Sequence, residues 1–147
     1  MAISQAICTA FKKQLLDGDA DFDSSGDKFK LALYLSTANL SASATSYTTT
    51  GESTDSGSGD YSAGGKALTG QQTSVATLTA IVDFANLSFT GVTLTARGAL
   101  IYNTSSAVNN AAVAVLDFGG DKTATAGTFT IQFPAFTTSA AIIRLAD

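Results

Sequence analysis

The residues from Val92 to Phe118 constrain the fold more than any other stretch, because they have the pattern of two β-strands joined by a polar loop. Alternate residues from Val92 to Tyr102 are mostly apolar, whereas the residues between them include threonines and Arg97. Side chains alternate between the two faces of a strand, so this pattern predicts a strand with one face on a core. Ala112 to Phe118 is a nearly unbroken apolar run, typical of a strand covered on both sides.

The rest of the chain predicts one helix and several further strands. Apolar residues recur every four positions in Ser4–Asp17, which predicts a helix with Ser4 as its N-cap and Gly18 as its terminator. Further strands are expected at Lys28–Leu35, Thr73–Phe84, Gly127–Phe133 and Ala140–Leu145, and a turn at Gly119–Lys122. The pattern predicts a single, mainly β domain over residues 1–147: an antiparallel, jelly-roll-like β-sandwich with one short N-terminal helix (residues 1–18). A β-barrel is the alternative.

The segment 36–60 is rich in serine, threonine and glycine, and it is too polar for a core strand. It is also longer than an ordinary connection. Tyr47 is its one aromatic residue before Tyr61 and would anchor it. Two interpretations are open: a flexible insertion, or a surface arm that becomes ordered against a partner.

The sequence offers no residues for the common kinds of catalysis. The chain has no histidine, which is the commonest general base and metal ligand, and a single cysteine, Cys8, which we expect to be buried. Gly64-Gly65-Lys66 lacks the spacing of a phosphate-binding loop and predicts a tight turn. We therefore expect no enzymatic activity, no catalytic residues and no cofactor.

Charge and hydropathy also limit the partners. The net charge is −4 and the eight basic residues are scattered, which argues against a nucleic-acid partner. No apolar run approaches the ~18 residues of a membrane-spanning helix. The first 20 residues lack the layout of a signal peptide, so we expect synthesis in the cytoplasm and no membrane association.

An acidic segment follows the expected helix. Asp19, Asp21 and Asp23 alternate along it and are candidate calcium ligands, since calcium binds six to eight oxygen atoms. The helix–loop–helix calcium pattern starting at Asp19 fails, however, because Ser24 takes the glycine position and Lys30 the closing glutamate position. The sequence therefore favours a solvated acidic turn over a bound cation, with Phe22 anchoring the turn to the core.

Four residues are candidates for contacts with another subunit. Arg97 is a charged residue in an apolar strand; we expect it to pair with Asp83 or Asp117, or to lie in an interface, where arginine is often important. The other candidates are Tyr47 in the polar segment, and Phe11 and Ile7 on the apolar stripe of the helix.

Several blocks of the sequence resemble a family of small structural proteins of tailed bacteriophages. The resemblance covers nearly the whole chain, and it is most specific at ARGALIYN (residues 96–103) and AVAVLDFG (residues 112–119). Further similar blocks are ICTAFKKQLLDGDADF, DKFKLALYLSTANL, YTTTGE and DYSAGGKALTG. The acidic DGDADF turn is more negative than expected of this family.

The resemblance implies a structural component of the virion without catalytic residues. A capsid decoration or cement protein is the leading hypothesis, with phage capsid proteins as partners and a homo-oligomer, a trimer by preference, as the assembled form. The alternatives are a neck, collar or tail-associated subunit, and a host-surface binding module that uses the segment 36–60.

Overall fold

The computed structural model describes residues 2–147, which form two antiparallel β-sheets and one short helix. In chain order the elements are β1 (Ala6–Ile7), α1 (Thr9–Asp17), β2 (Phe29–Tyr34), β3 (Lys66–Ala67), β4 (Gln72–Ala76), β5 (Thr79–Asp83), β6 (Leu87–Asn103), β7 (Ala111–Ile131) and β8 (Ile143–Leu145). The larger sheet has the order β1-β7-β6-β2-β3, and the smaller one β4-β5-β8. The mainly β, sandwich-like fold with one N-terminal helix is confirmed.

The central pair, β6 and β7, is longer than the sequence predicts. The turn expected at Gly119–Lys122 is wrong, because these residues lie within β7. The strand expected at Gly127–Phe133 forms as far as Ile131, but it is the last part of β7 and not a separate strand. Ala96 pairs with Lys122 and Gly98 with Asp117, so β7 carries extra residues opposite Arg97. Gly119 has a φ of 75°, and this glycine lets the strand form a bulge and continue instead of turning back.

The helix begins later than its apolar period suggests. Ala6 and Ile7, directly before the helix, pair with β7 in the larger sheet, and the N–H of Cys8 donates to the Val113 carbonyl at 3.0 Å. The predicted N-cap at Ser4 is therefore wrong, and Cys8 occupies that position. Gly18 does end the helix in the left-handed conformation, with a φ of 74°, as predicted.

The strand predicted over Thr73–Phe84 is a hairpin. The chain reverses at Thr77, which has a φ of 56°, and β4 and β5 pair from Gln72 with Asp83 to Ala76 with Thr79. The turn contains neither glycine nor proline, so the alternation of apolar residues runs through it without a visible break. The closing strand is likewise shorter than expected, and only Ile143–Leu145 are paired.

Phenylalanine rings occupy the core between the acidic turn and the two sheets. Phe22 stacks on Phe29 with ring centroids 4.5 Å apart, and Phe84 meets both rings edge-on. Phe11 of the helix reaches the same group, 5.7 Å from Phe22. The prediction that Phe22 anchors the acidic turn is confirmed, because its side chain is buried.

Candidate functional site

Glu52, the one glutamate of the chain, is the centre of a buried polar cluster. Its Oε2 atom accepts a hydrogen bond from the Tyr47 hydroxyl at 2.6 Å. Its Oε1 atom accepts two more, from the Tyr61 hydroxyl at 2.8 Å and from the Gly64 N–H at 2.7 Å. Three donors thus compensate the carboxylate for the water that it loses on burial.

The other two tyrosines of the chain lie against the same cluster. Tyr102 stacks on Tyr47 with centroids 4.9 Å apart and donates to the Gly64 carbonyl at 2.6 Å. Tyr34 donates to the Thr48 carbonyl at 2.5 Å. Burial, and after it the charge of Glu52, raises the pKa of Tyr102, and burial is also the main cause that raises the pKa of Tyr34, Tyr47 and Tyr61. All four phenols therefore remain protonated hydrogen-bond donors at physiological pH.

The cluster holds the polar segment 36–60 on the larger sheet. The Ser53 N–H donates to the Leu33 carbonyl at 2.8 Å, and the Leu35 N–H donates to the Gly51 carbonyl at 2.9 Å. Ser53 and Glu52 are buried. The segment is thus bonded to its own domain at these positions, and the interface candidate Tyr47 is half-buried within its own chain.

The end of the polar segment covers the free edge of β6. The Thr93 N–H donates to the Asp55 carboxylate and the Thr90 N–H to the Asp60 carboxylate, both at 2.7 Å. In return, the carbonyls of Thr93 and Thr90 accept the N–H groups of Ser56 and Asp60. The hydrogen bond from Thr93 is the main cause that lowers the pKa of Asp55. Two carboxylates thus complete a strand edge that would otherwise be open.

Arg97 pairs with Asp117, which is one of the two acidic partners predicted for it. Its Nε donates to the carboxylate at 2.8 Å, and both side chains are partly exposed. This contact is the main cause that lowers the pKa of Asp117. Asp83, the other predicted partner, lies buried in β5 of the smaller sheet. The pair spans the bulge of β7 and leaves Arg97 at the surface of the larger sheet.

Phe11 and Ile7 were predicted to contact another subunit, but both side chains pack within their own chain. Phe11 is fully buried, because the helix packs its apolar stripe on the core of its own chain. Ile7 lies in β1, half-buried against β7. The exposed apolar side chain of the helix is Leu16, which lies outside the stripe on the core and is 89% exposed.

The candidate calcium ligands do not converge. Asp19 accepts from Ser106 Oγ at 2.5 Å and from the Ala107 N–H at 3.0 Å, whereas Asp23 accepts from the Ser25 N–H at 3.0 Å. The Asp21 carboxylate accepts from the Asp23 N–H at 2.9 Å. Residues 2–147 contain no group of three acidic, histidine or cysteine side chains that could hold a metal ion. The turn therefore uses its carboxylates to close itself and to join the loop after β6.

The outer edge of β7 is open. Its pairing with β1 ends at Val115, and among residues 2–147 no strand pairs with this edge beyond that point. A groove of about 640 Å³ follows the edge. Its apolar lining includes Leu116, Phe118, Phe129, Ile131, Phe133 and Ile142.

The hairpin of β4 and β5 is the second surface without a partner. Every residue of β4 is exposed. Val75 is 73% and Leu78 at the turn is 74% exposed. Sequence reasoning missed both surfaces, because it placed the hairpin in one straight strand and ended the strand now seen as β7 at Phe118, before a turn. Thr77-Leu78, a polar residue followed by an apolar one in an alternating run, carries no turn signal.

No family model, curated protein or solved structure matches this chain. In the part of the chain that the structure describes, no helix is long and apolar enough to cross a membrane.

Proposed function

We propose that this protein is a structural subunit of a tailed-phage virion, and specifically a capsid decoration or cement protein that acts as a homo-oligomer without an enzymatic role. The open edge of β7 beside an apolar groove is the observation that carries this proposal. An unpaired strand edge offers main-chain donors and acceptors to another strand, and long exposed edges are otherwise avoided in soluble proteins.

The buried polar cluster supports the same proposal. Glu52 and the tyrosines around it are used to fix the segment 36–60 on the sheet, and all four phenols are held in their protonated form. The Asp55 and Asp60 carboxylates complete the edge of β6. These hydrogen bonds fix the segment 36–60 and the edge of β6 within the domain. A domain fixed in this way suits a protein that stabilises a particle through contacts between subunits.

The resemblance at residues 96–103 and 112–119 supports the virion as the location. Both blocks lie in the central strands β6 and β7, and the second block ends at the bulge from which the open edge continues. The partners would be the phage capsid proteins, with the protein synthesised in the host cytoplasm before assembly.

Quantification of this protein in purified virions tests the proposal. A decoration protein should be present in numbers comparable to the major capsid subunit, and cryo-electron microscopy should place it over the capsomer junctions. A small fixed number at the tail vertex would instead identify a neck, collar or tail-associated subunit. If deletion of the gene abolished adsorption and left particle stability unchanged, a host-surface binding module would replace the decoration role.

A further inference from the structure

An edge of each sheet borders the same apolar groove. On one side is the edge of β7 from Gly120 to Ile131, at the end of the larger sheet. On the other side is the chain at Ile142, directly before β8, which is an edge strand of the smaller sheet. The groove therefore lies where an additional strand would close the sandwich, and its Phe118 and Phe129 side chains would contact that strand.

The hairpin at Gln72–Asp83 has the complementary properties. Its outer strand, β4, pairs with β5 alone and leaves its other edge free. Val75 and Leu78 are about three-quarters exposed, although both are large apolar side chains. The exposed hairpin thus offers a strand edge that can be added to a sheet, and the outer edge of β7 can accept such a strand.

We propose that the hairpin of a second copy of this chain docks in the groove, with β4 of that copy adding to the free edge of β7. Neither Gln72–Ala76 nor Thr123–Ile131 contains a charged residue. The groove lining has one carboxylate, Asp117, which is paired with Arg97, and one lysine, Lys122. Two chains that each carry a net charge of −4 can therefore meet here without placing like charges together. Main-chain hydrogen bonds hold the strand, and Val75 and Leu78 fill the apolar groove.

The extent of the contact favours a closed ring. A strand edge about 17 Å long and two apolar side chains bury on the order of 400 Å² per partner. Each contact therefore buries about 800 Å² in total, which is the size of a weak interface. Each copy donates one hairpin and accepts another, so a subunit of a closed ring dissociates only when two such contacts break. A head-to-tail contact of this kind forms a ring if the rotation between copies closes, and an open filament if it does not. This inference rests on the proposed function, since it names the contact that joins the subunits.

The mass of the purified protein in solution tests the contact. We expect a discrete oligomer by light scattering, with a mass that is a multiple of the chain mass of 14.9 kDa. The double variant Val75→Ser/Leu78→Ser should shift the protein to the monomer and raise the dissociation constant by roughly 10-fold or more. The control is Leu16→Ser, which removes an equally exposed apolar side chain from the helix and should leave the mass unchanged. A monomeric wild-type protein, or a double variant that still assembles, would overturn the contact; virion copy number would then still decide the proposed function separately.

Disulfide trapping identifies which surfaces meet. Leu78→Cys and Thr128→Cys are prepared as separate proteins and mixed under oxidising conditions. A disulfide between the two variants supports the proposal, whereas Thr128→Cys linking to itself would show two β7 edges meeting and would overturn it. Cys8 can remain in both proteins, because it is fully buried and burial raises the pKa of its thiol to about 11.

Discussion

The Tyr61 hydroxyl joins the polar segment to the main chain of a core strand. It donates to the Glu52 carboxylate at 2.8 Å and accepts the N–H of Leu33 at 2.9 Å. Tyr47 donates to the same carboxylate, and the main-chain group beside its hydroxyl is the Gly64 N–H, which already donates to Glu52 at 2.7 Å. The two phenols therefore share one acceptor and differ in what their removal leaves behind.

Removal of the Tyr61 hydroxyl should cost more stability than removal of the Tyr47 hydroxyl. Tyr61→Phe leaves both Glu52 and the buried Leu33 N–H short of a partner, so we expect a loss of about 2–3 kcal/mol in the free energy of unfolding. Tyr47→Phe is the matched control and should cost about 1 kcal/mol. Urea denaturation measures both values. Equal losses would contradict the role of Tyr61 as the link between the segment and β2.

Replacement of Glu52 should loosen the segment 36–60. Glu52→Ala removes the acceptor of three hydrogen bonds, and we expect a loss of about 3 kcal/mol, because buried donors remain unpaired. Glu52→Gln keeps one acceptor oxygen and should lose less. Amide hydrogen exchange should show faster exchange at Ser53 and Leu35, whose N–H groups bond across this segment, and unchanged exchange in β7. Unaltered protection at Ser53 would show that the cluster does not hold the segment.

Asp55 should make stability depend on pH. Its pKa is lowered in the folded protein, chiefly by the Thr93 N–H, from an ordinary value of 3.8. A lowered folded pKa adds stability that is present above the unfolded pKa and is lost as the pH falls through the folded pKa. The difference in unfolding free energy between wild type and Asp55→Asn should thus be larger at pH 7 than at a pH below the folded pKa. A difference that grows on acidification would contradict this assignment.

The sequence predicted the fold class and the core, since both depend on the alternation of apolar residues. Phe29, Leu31 and Leu33 are buried as the period of two requires. It could not show that Tyr34 on the opposite face is also buried, because the segment whose Thr48 carbonyl accepts the Tyr34 hydroxyl is rich in serine and threonine. Glu52 holds that segment in place, and a single buried carboxylate produces no periodic pattern in the sequence.

Gly119 shows a different limit of sequence reasoning. Two adjacent glycines followed by Asp121 and Lys122 have the composition of a turn, and the local signal is the same for a bulge. The partner strand decides between a turn and a bulge. Here β6 continues opposite β7 and pairs with it again at Ala96, so a bulge forms. The groove and the open edge exist because of this continuation, so they could not be predicted from local composition.

Three glycine substitutions test the backbone arrangement. A Cβ at Gly65 would lie 1.8 Å from the Leu31 carbonyl oxygen, and its φ is +69°, so Gly65→Ala should cost more than about 3 kcal/mol. Gly119→Ala meets no atom within 4 Å but retains a φ of +75°, and we expect about 1 kcal/mol. Gly120→Ala is open and unstrained, so its effect should be within about 0.5 kcal/mol. If Gly119→Ala and Gly120→Ala were equally harmless, the bulge in β7 would be wrong.

Arg97 should matter more for assembly than for the stability of the monomer. The ion pair with Asp117 is partly exposed, and pairs of this kind contribute little to folding. Arg97→Ala leaves the Asp117 carboxylate without its counter-ion at the side of the groove, where a docked apolar hairpin would remove water from it. We expect weaker self-association of Arg97→Ala by light scattering and a nearly unchanged denaturation midpoint. The double variant Arg97→Ala/Asp117→Ala removes the unpaired charge and should recover part of the association, whereas unchanged assembly of Arg97→Ala would exclude Arg97 from the interface.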